Sequence, residues 1–130
     1  MKCIRIEGPN GRGIFRQKKG IFDYYQEDVV DELPCLSEIS LTASKRHNDF
    51  NTPEEDGVDM ERGNKYWKCA YKTVEQLQSW LSSEEIVLII ETGYDIYLLE
   101  VTEFQIGRKH QIVYTVDTII EKTNINSLFL

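Results

Sequence analysis

The chain has 130 residues, 41% of them hydrophobic and 28% charged, the proportions of one globular domain with its own core and not of a disordered or fibrous chain. A formal net charge of −7 turns most of the surface against phosphate and excludes indiscriminate nucleic-acid binding. The longest aliphatic run, Ile86 to Ile90, is far short of a membrane span, and Met1 to Glu7 holds no apolar signal core, so the expected compartment is cytoplasmic.

Lys2 to Glu7 alternates, with Cys3 and Arg5 on one face and Ile4 and Ile6 on the other, which predicts a half-buried first strand. Gly8-Pro9-Asn10-Gly11-Arg12-Gly13 ends it in a turn, and Gly13-Ile14-Phe15 resumes a short strand. Tyr25, Val29 and Leu33 recur at i, i+4 and i+8 and predict an amphipathic helix over Asp23 to Leu33, stopped by Pro34. Periodicity then fades from Ser37 to Lys65, where Asn, Asp, Glu, Gly and Pro predict a long irregular acidic segment.

Thr73-Val74-Glu75-Gln76 is a capping box, followed by an apolar stripe of Val74, Leu77, Trp80 and Leu81, which predicts a helix over Thr73 to Leu81. Ser82-Ser83-Glu84-Glu85 repeats the signal and opens Ile86 to Thr92, ended by Gly93. The β-branched content there also suits a buried strand, and the caps favour a short helix. Asp95 to Phe104 alternates as a strand with Tyr97, Leu99 and Val101 on one face. A turn at Gln105 to Arg108 returns it through Lys109 to Val116, with Ile112, Tyr114 and Val116 inward, as a hairpin. Asp117 to Leu130 predicts a turn of helix and an apolar end, Leu128-Phe129-Leu130, docked on the core. The predicted fold is a single α+β domain. The first strand joins the hairpin in a small, mainly antiparallel sheet, with two short helices packed on one face.

Charge is sorted along this order. Residues 1–20 hold six bases against Glu7 alone, residues 21–62 twelve acids against Lys45, Arg46 and Arg62, and residues 63–130 nine acids against six bases, giving block charges of +5, −9 and −3. A basic strip ahead of an acidic one forms a surface dipole or two opposed patches. The turn at Gly11, Arg12, Gly13 and Arg16, with Lys18 and Lys19 behind it, has the elements of an anion cradle: glycines admit backbone amides to a phosphate and the cations neutralise it. Arg5, sharing a strand face with Glu7, calls for a carboxylate partner, which Glu7 or a loop acid supplies. Cys3, Cys35 and Cys69 are widely spaced and read as reduced thiols. No metal is expected, because Glu54, Glu55, Asp56, Asp59 and Glu61 do not follow a calcium-loop spacing. His47 and His110 are the two histidines, on a loop and at a hairpin edge, with no serine or cysteine motif beside either.

Several of these residues resemble a known set when taken in order: Cys3-Ile4-Arg5-Ile6-Glu7, Gly11-x-Gly13-x-x-Arg16, His47, Pro53-x-x-Asp56-Gly57, Cys69-x-x-Lys72-Thr73-x-x-Gln76-Leu77-x-x-Trp80 and Gly107-x-x-His110-Gln111-x-x-Tyr114. Together they resemble a group of small hypothetical proteins of bacteriophages and prophages. That resemblance implies a viral or prophage origin, so the expected cytoplasm is that of a host cell, and it names no chemistry. A fainter similarity is to ADP-ribosyltransferase-like domains, which place an Arg or His on the first strand and a Glu or Gln on a late one to hold a nicotinamide riboside. Arg5 and Gln111 look similar to those two ends, with His47 as the available imidazole, and this similarity implies NAD as the ligand.

Two functions follow as expectations, with a plain structural or regulatory oligomer as a third. The first is a non-enzymatic accessory protein, with no cofactor, that binds a host protein. Its surface would be acidic, built from Glu54, Glu55, Asp56 and Asp59 with Tyr66 and Trp67 as aromatic anchors. Such a surface imitates a phosphate backbone, so it suits a nucleic-acid-binding host protein, a defence component among them. The second is an ADP-ribosyltransferase-like, NAD-related enzyme using Arg5, His47 and Gln111, or a nucleotide-binding domain.

Overall fold

The computed structural model describes residues 1–8, 11, 56–108 and 111–130. The short strand from Gly13, the helix of Asp23 to Leu33 and most of the irregular acidic segment lie outside the described residues.

Strand β1 runs over Lys2–Glu7 and pairs antiparallel with β3, Asp95–Val101, with Cys3 opposite Leu99 and Glu7 opposite Asp95. Strand β6, Ile119–Asn124, lies on the other side of β3, so the first sheet has the order β1, β3, β6. A second sheet has the order β2, β5, β4, from Trp67–Ala70, Ile112–Thr115 and Phe104–Ile106. A bridge between Ile4 and Tyr71, each donating its amide to the other's carbonyl at 2.7 and 2.8 Å, ties the two sheets at β1 and β2.

Two helices follow β2. Helix α1, Val74–Trp80, starts where the Thr73 side chain accepts the Gln76 amide. The Gln76 side chain reaches one residue further back than a standard capping box and accepts from Lys72. Helix α2, Ser83–Thr92, has the full reciprocal box between Ser82 and Glu85, and it ends at Gly93 with φ 115. With both ends satisfied and Ile86 and Ile89 buried one turn apart, Ile86 to Thr92 is helix and not strand.

The layers follow from alternation in β1 and β3. Ile4, Ile6, Ile96 and Leu98 face the helices and pack with Leu77, Leu81, Ile86 and Ile89. Cys3, Tyr97, Leu99 and Val101 face the other way, onto Ile112, Tyr114 and Ala70 of the second sheet. The helices do pack on one face, as alternation predicts. The first sheet is also covered on its second face, so β1 is buried on both sides and not half-buried.

The predicted long hairpin is corrected. The chain leaves the first sheet after Val101, where Val101 donates to the Met1 carbonyl and Thr102 to the Thr118 carbonyl. It enters the second sheet at Phe104, so β3 and β4 are separate strands and the hairpin is β4 with β5. Alternation could not show the break, because Glu103 and Gln105 continue the alternate positions of Tyr97, Leu99 and Val101, while β4 buries Gln105 and leaves Phe104 and Ile106 exposed. Val116, predicted inward, is exposed at the start of a 3-10 turn, Val116–Thr118. Two strands, β2 and β6, were not foreseen; β6 pairs its mostly exposed residues as a sheet edge. Its register shifts between Glu100 and Val101, leaving Ile120 as a bulged, exposed residue. A second 3-10 turn covers Asn126–Leu128, and of the apolar end Phe129 packs on the core while Leu128 and Leu130 are exposed.

Candidate functional site

The described polar groups gather in two places. The first is at the end of β1. Arg5 donates through Nη1 to the Cys69 carbonyl (2.7 Å), through Nη2 to the Gly11 carbonyl (3.2 Å) and through Nε to Glu7 Oε2 (3.4 Å). Lys68 Nζ also donates to the Gly11 carbonyl, at 3.0 Å. Glu7 is a bridging anion, since its other oxygen accepts from Lys122 Nζ, which lies 4.3 Å from the centre of the Tyr97 ring. Both Arg5 and Glu7 have nearly buried side chains. Beyond Lys122, Tyr97 donates to Asp95 (3.3 Å), and Asn126 donates to Asp95 (2.8 Å) while accepting from the Ile96 amide.

The Cys3 thiol and three phenols around this cluster are pushed up. Burial pushes the Cys3 thiol up to about 11, against the pull of the terminal ammonium and Arg5. Burial likewise raises the Tyr71 and Tyr114 phenols, with Arg5 opposing in both cases. Tyr97 is raised by partial burial and then by Asp95, with Lys122 opposing. These thiol and phenol groups keep their protons at neutral pH, where a general base or nucleophile has to give one up.

Of the residues of the enzyme reading, Arg5 and Gln111 are described. Arg5 is engaged by Glu7, Cys69 and Gly11, and Gln111 is not among its partners. Gln111 sits at the mouth of the β4–β5 hairpin, its main-chain carbonyl accepting the Gly107 amide at 2.7 Å. His47 lies outside the described residues. Of the anion cradle, Gly11 is described: its amide donates to the Gly8 carbonyl, and its carbonyl accepts from Arg5 and Lys68. Its φ of 78 belongs to a turn. Arg12, Gly13 and Arg16 lie outside the described residues.

The acidic surface is also redrawn. Glu54 and Glu55 lie outside the described residues. Asp56, expected on the surface, is 1% exposed, and Trp67 is 4% exposed with its indole donating to the Arg62 carbonyl at 3.0 Å. Asp56 is held where Arg108 donates its amide to the Asp56 carbonyl (2.8 Å). Trp67 fills the outer face of the second sheet with Val58, Met60 and Val113. Asp59 is exposed, and its backbone is clamped from both sides by the Gln105 amide, at 2.9 Å each.

What remains outward is the second polar place, at the end of the second sheet. Tyr66 is 62% exposed, and the register of Trp67 opposite Thr115 carries it toward exposed Val116. Lys65 pairs with Glu103 at 2.6 Å, and Glu103 also accepts from the Thr115 hydroxyl. The Lys65 hydrogen bond is the main cause that lowers Glu103, and its counterpart raises Lys65, with Asp117 adding to that rise. Glu61 and Asp59 flank this end through a 3-10 turn at Arg62–Asn64. Tyr66 and Asp59 stand out in the sequence and are exposed here, whereas Glu103 and Asp117 at this end, and Lys122 in the Arg5 cluster, sit far from them along the chain and left no sequence signal.

No helix among the described residues is long and apolar enough to cross a membrane, and no group of His, Cys, Asp and Glu among them could hold a metal ion. A family model described as the bacteriophage T4 Y00F protein matches residues 1–127. No curated protein and no solved structure matches the chain significantly, and none of these comparisons carries the ADP-ribosyltransferase similarity. With the match running over nearly its whole length, the chain belongs to the bacteriophage T4 Y00F protein family.

Proposed function

We propose that this phage protein acts without catalysis, by binding a host protein through the acidic, aromatic end of its second sheet. The observation that carries the reading is the exposure of Tyr66 next in sequence to Lys65, on which Glu103 and Asp117 converge, set against an Arg5 cluster whose donors are engaged internally. An aromatic ring rimmed by acids is the composition of a protein interface. Its charge selects a basic partner surface, such as the groove of a nucleic-acid-binding host protein. A host defence component is the class of target this proposal names.

The experiment is affinity capture from a bacterial lysate at low and high salt. The expected result is a basic host protein retained at low salt and released at high salt, and retained less by a Tyr66→Ala and Asp117→Lys double variant. Identical retention by the variant would overturn the assignment of this surface.

A further inference from the structure

We propose that the β4 edge pairs two copies of this chain about a two-fold axis through Gln105. Among the described residues β4 is hydrogen-bonded on one side alone, to β5. Gly107 donates to the Gln111 carbonyl and Thr115 to the Glu103 carbonyl, so positions 103, 105 and 107 direct their backbone groups toward β5. Phe104 and Ile106 therefore direct theirs outward, because polar groups in an antiparallel ladder alternate sides.

Symmetry and competing bonds fix the register. A two-fold axis perpendicular to the sheet keeps every residue on its own face, so it must pass through a residue and pair positions of like parity. Centring on Phe104 would need the Thr102 amide, which already donates to Thr118, and centring on Ile106 would need the Arg108 amide, which already donates to Asp56. Centring on Gln105 needs neither. Phe104 then faces Ile106 of the second copy, and each outward amide and carbonyl of the two residues finds a partner.

The side chains fit the same arrangement. Phe104 and Ile106 are 39% and 47% exposed and share a face, so the pairing makes apolar cross-strand neighbours of them. One end of β4 carries Glu103, with Asp117 nearby, and the other carries exposed Arg108. An antiparallel pair sets the acidic end of each copy beside the basic end of the other. Three residues of edge bury less than the roughly 1,200 Å² of stable interfaces, so the dimer is a weak one.

The test is sedimentation equilibrium of the full chain from about 10 μM to about 1 mM, a range set by a micromolar or weaker constant. The wild-type mass is expected to rise from 15.2 kDa toward twice that value. Ile106→Pro removes an outward amide without touching the bonds to β5 and is expected to weaken pairing at least tenfold. Phe104→Lys and Ile106→Glu are each expected to do the same, and combining them restores the dimer by placing the new charges opposite each other. A wild-type chain that stays monomeric at every concentration overturns the proposal. So does a dimer indifferent to both Ile106→Pro and Phe104→Lys; two variants are used so that misfolding of one does not decide the result.

Discussion

The Asp56 carboxylate lies directly over Gly107: a Cβ built at Gly107 would come within 1.9 Å of Asp56 Oδ2. This pair locks the first described residue of the acidic segment onto the β4–β5 hairpin. Gly107→Ala is therefore expected to destabilise the fold by about 1–3 kcal/mol, the usual cost of overpacking. Urea denaturation checks it, and an unchanged midpoint would show that the carboxylate moves aside freely.

Glu7 holds two cations, Arg5 and Lys122, and the three positions have unequal exposure. Removing the shared anion leaves Arg5 nearly buried and short of its charge partner, so Glu7→Ala is expected to cost about 3–5 kcal/mol. Lys122 is 41% exposed, and Lys122→Ala is expected to cost under about 1 kcal/mol. Equal losses in denaturant titrations would contradict the bridging role of Glu7.

Ser82 and Leu77 test how the helices are held. Ser82→Ala removes the reciprocal cap of α2 and is expected to cost about 1 kcal/mol. Leu77→Ala empties a fully buried position in the helix-facing core and is expected to cost about 2–5 kcal/mol. Thermal or urea melts that rank the two in the opposite order would place the helices' stability in their caps and not in their packing.

These helices were also the most legible part of the sequence. Thr73, Ser82 and Gly93 are local signals, and local signals fix helix ends whatever the tertiary setting. The first strand was legible for the same reason. The switch between sheets at Thr102 and Glu103 was not, because it depends on Met1 and Thr118 arriving from distant parts of the chain. Strand β6 escaped because an exposed edge shows little alternation. At the site, Arg5 beside Glu7 could be read from spacing two on a strand. Lys122 reaching the same carboxylate could not, since contact across 115 positions leaves no periodic trace. Asp56 looked like its neighbours Glu54 and Glu55, and it took the bare backbone of Gly107 to bury it.

The cysteines give a chemical prediction. Cys3 is buried and its thiol titrates at about 11, against 9.0 for the free group, while Cys69 is exposed. In a Cys35→Ser variant at pH 8, a thiol reagent is expected to modify Cys69 quickly and Cys3 only at the rate of unfolding. The folded chain holds the Cys3 proton more tightly than the unfolded chain. That contribution to stability is complete below pH 9 and is lost as pH rises through 11. Raised Tyr71 and Tyr114 act in the same direction at higher pH. Stability that climbed over this range would contradict the burial of these groups.

The central claim is recognition of a host protein by the Tyr66 end of the second sheet, and titrating the captured host protein against wild type and the Tyr66→Ala, Asp117→Lys variant tests it most directly. The account predicts at least a tenfold loss of affinity, with an unchanged melting temperature for the variant and weaker wild-type binding as salt rises. Equal affinity for both chains would contradict it, and so would a chain that retains no host protein yet melts several degrees higher with NAD.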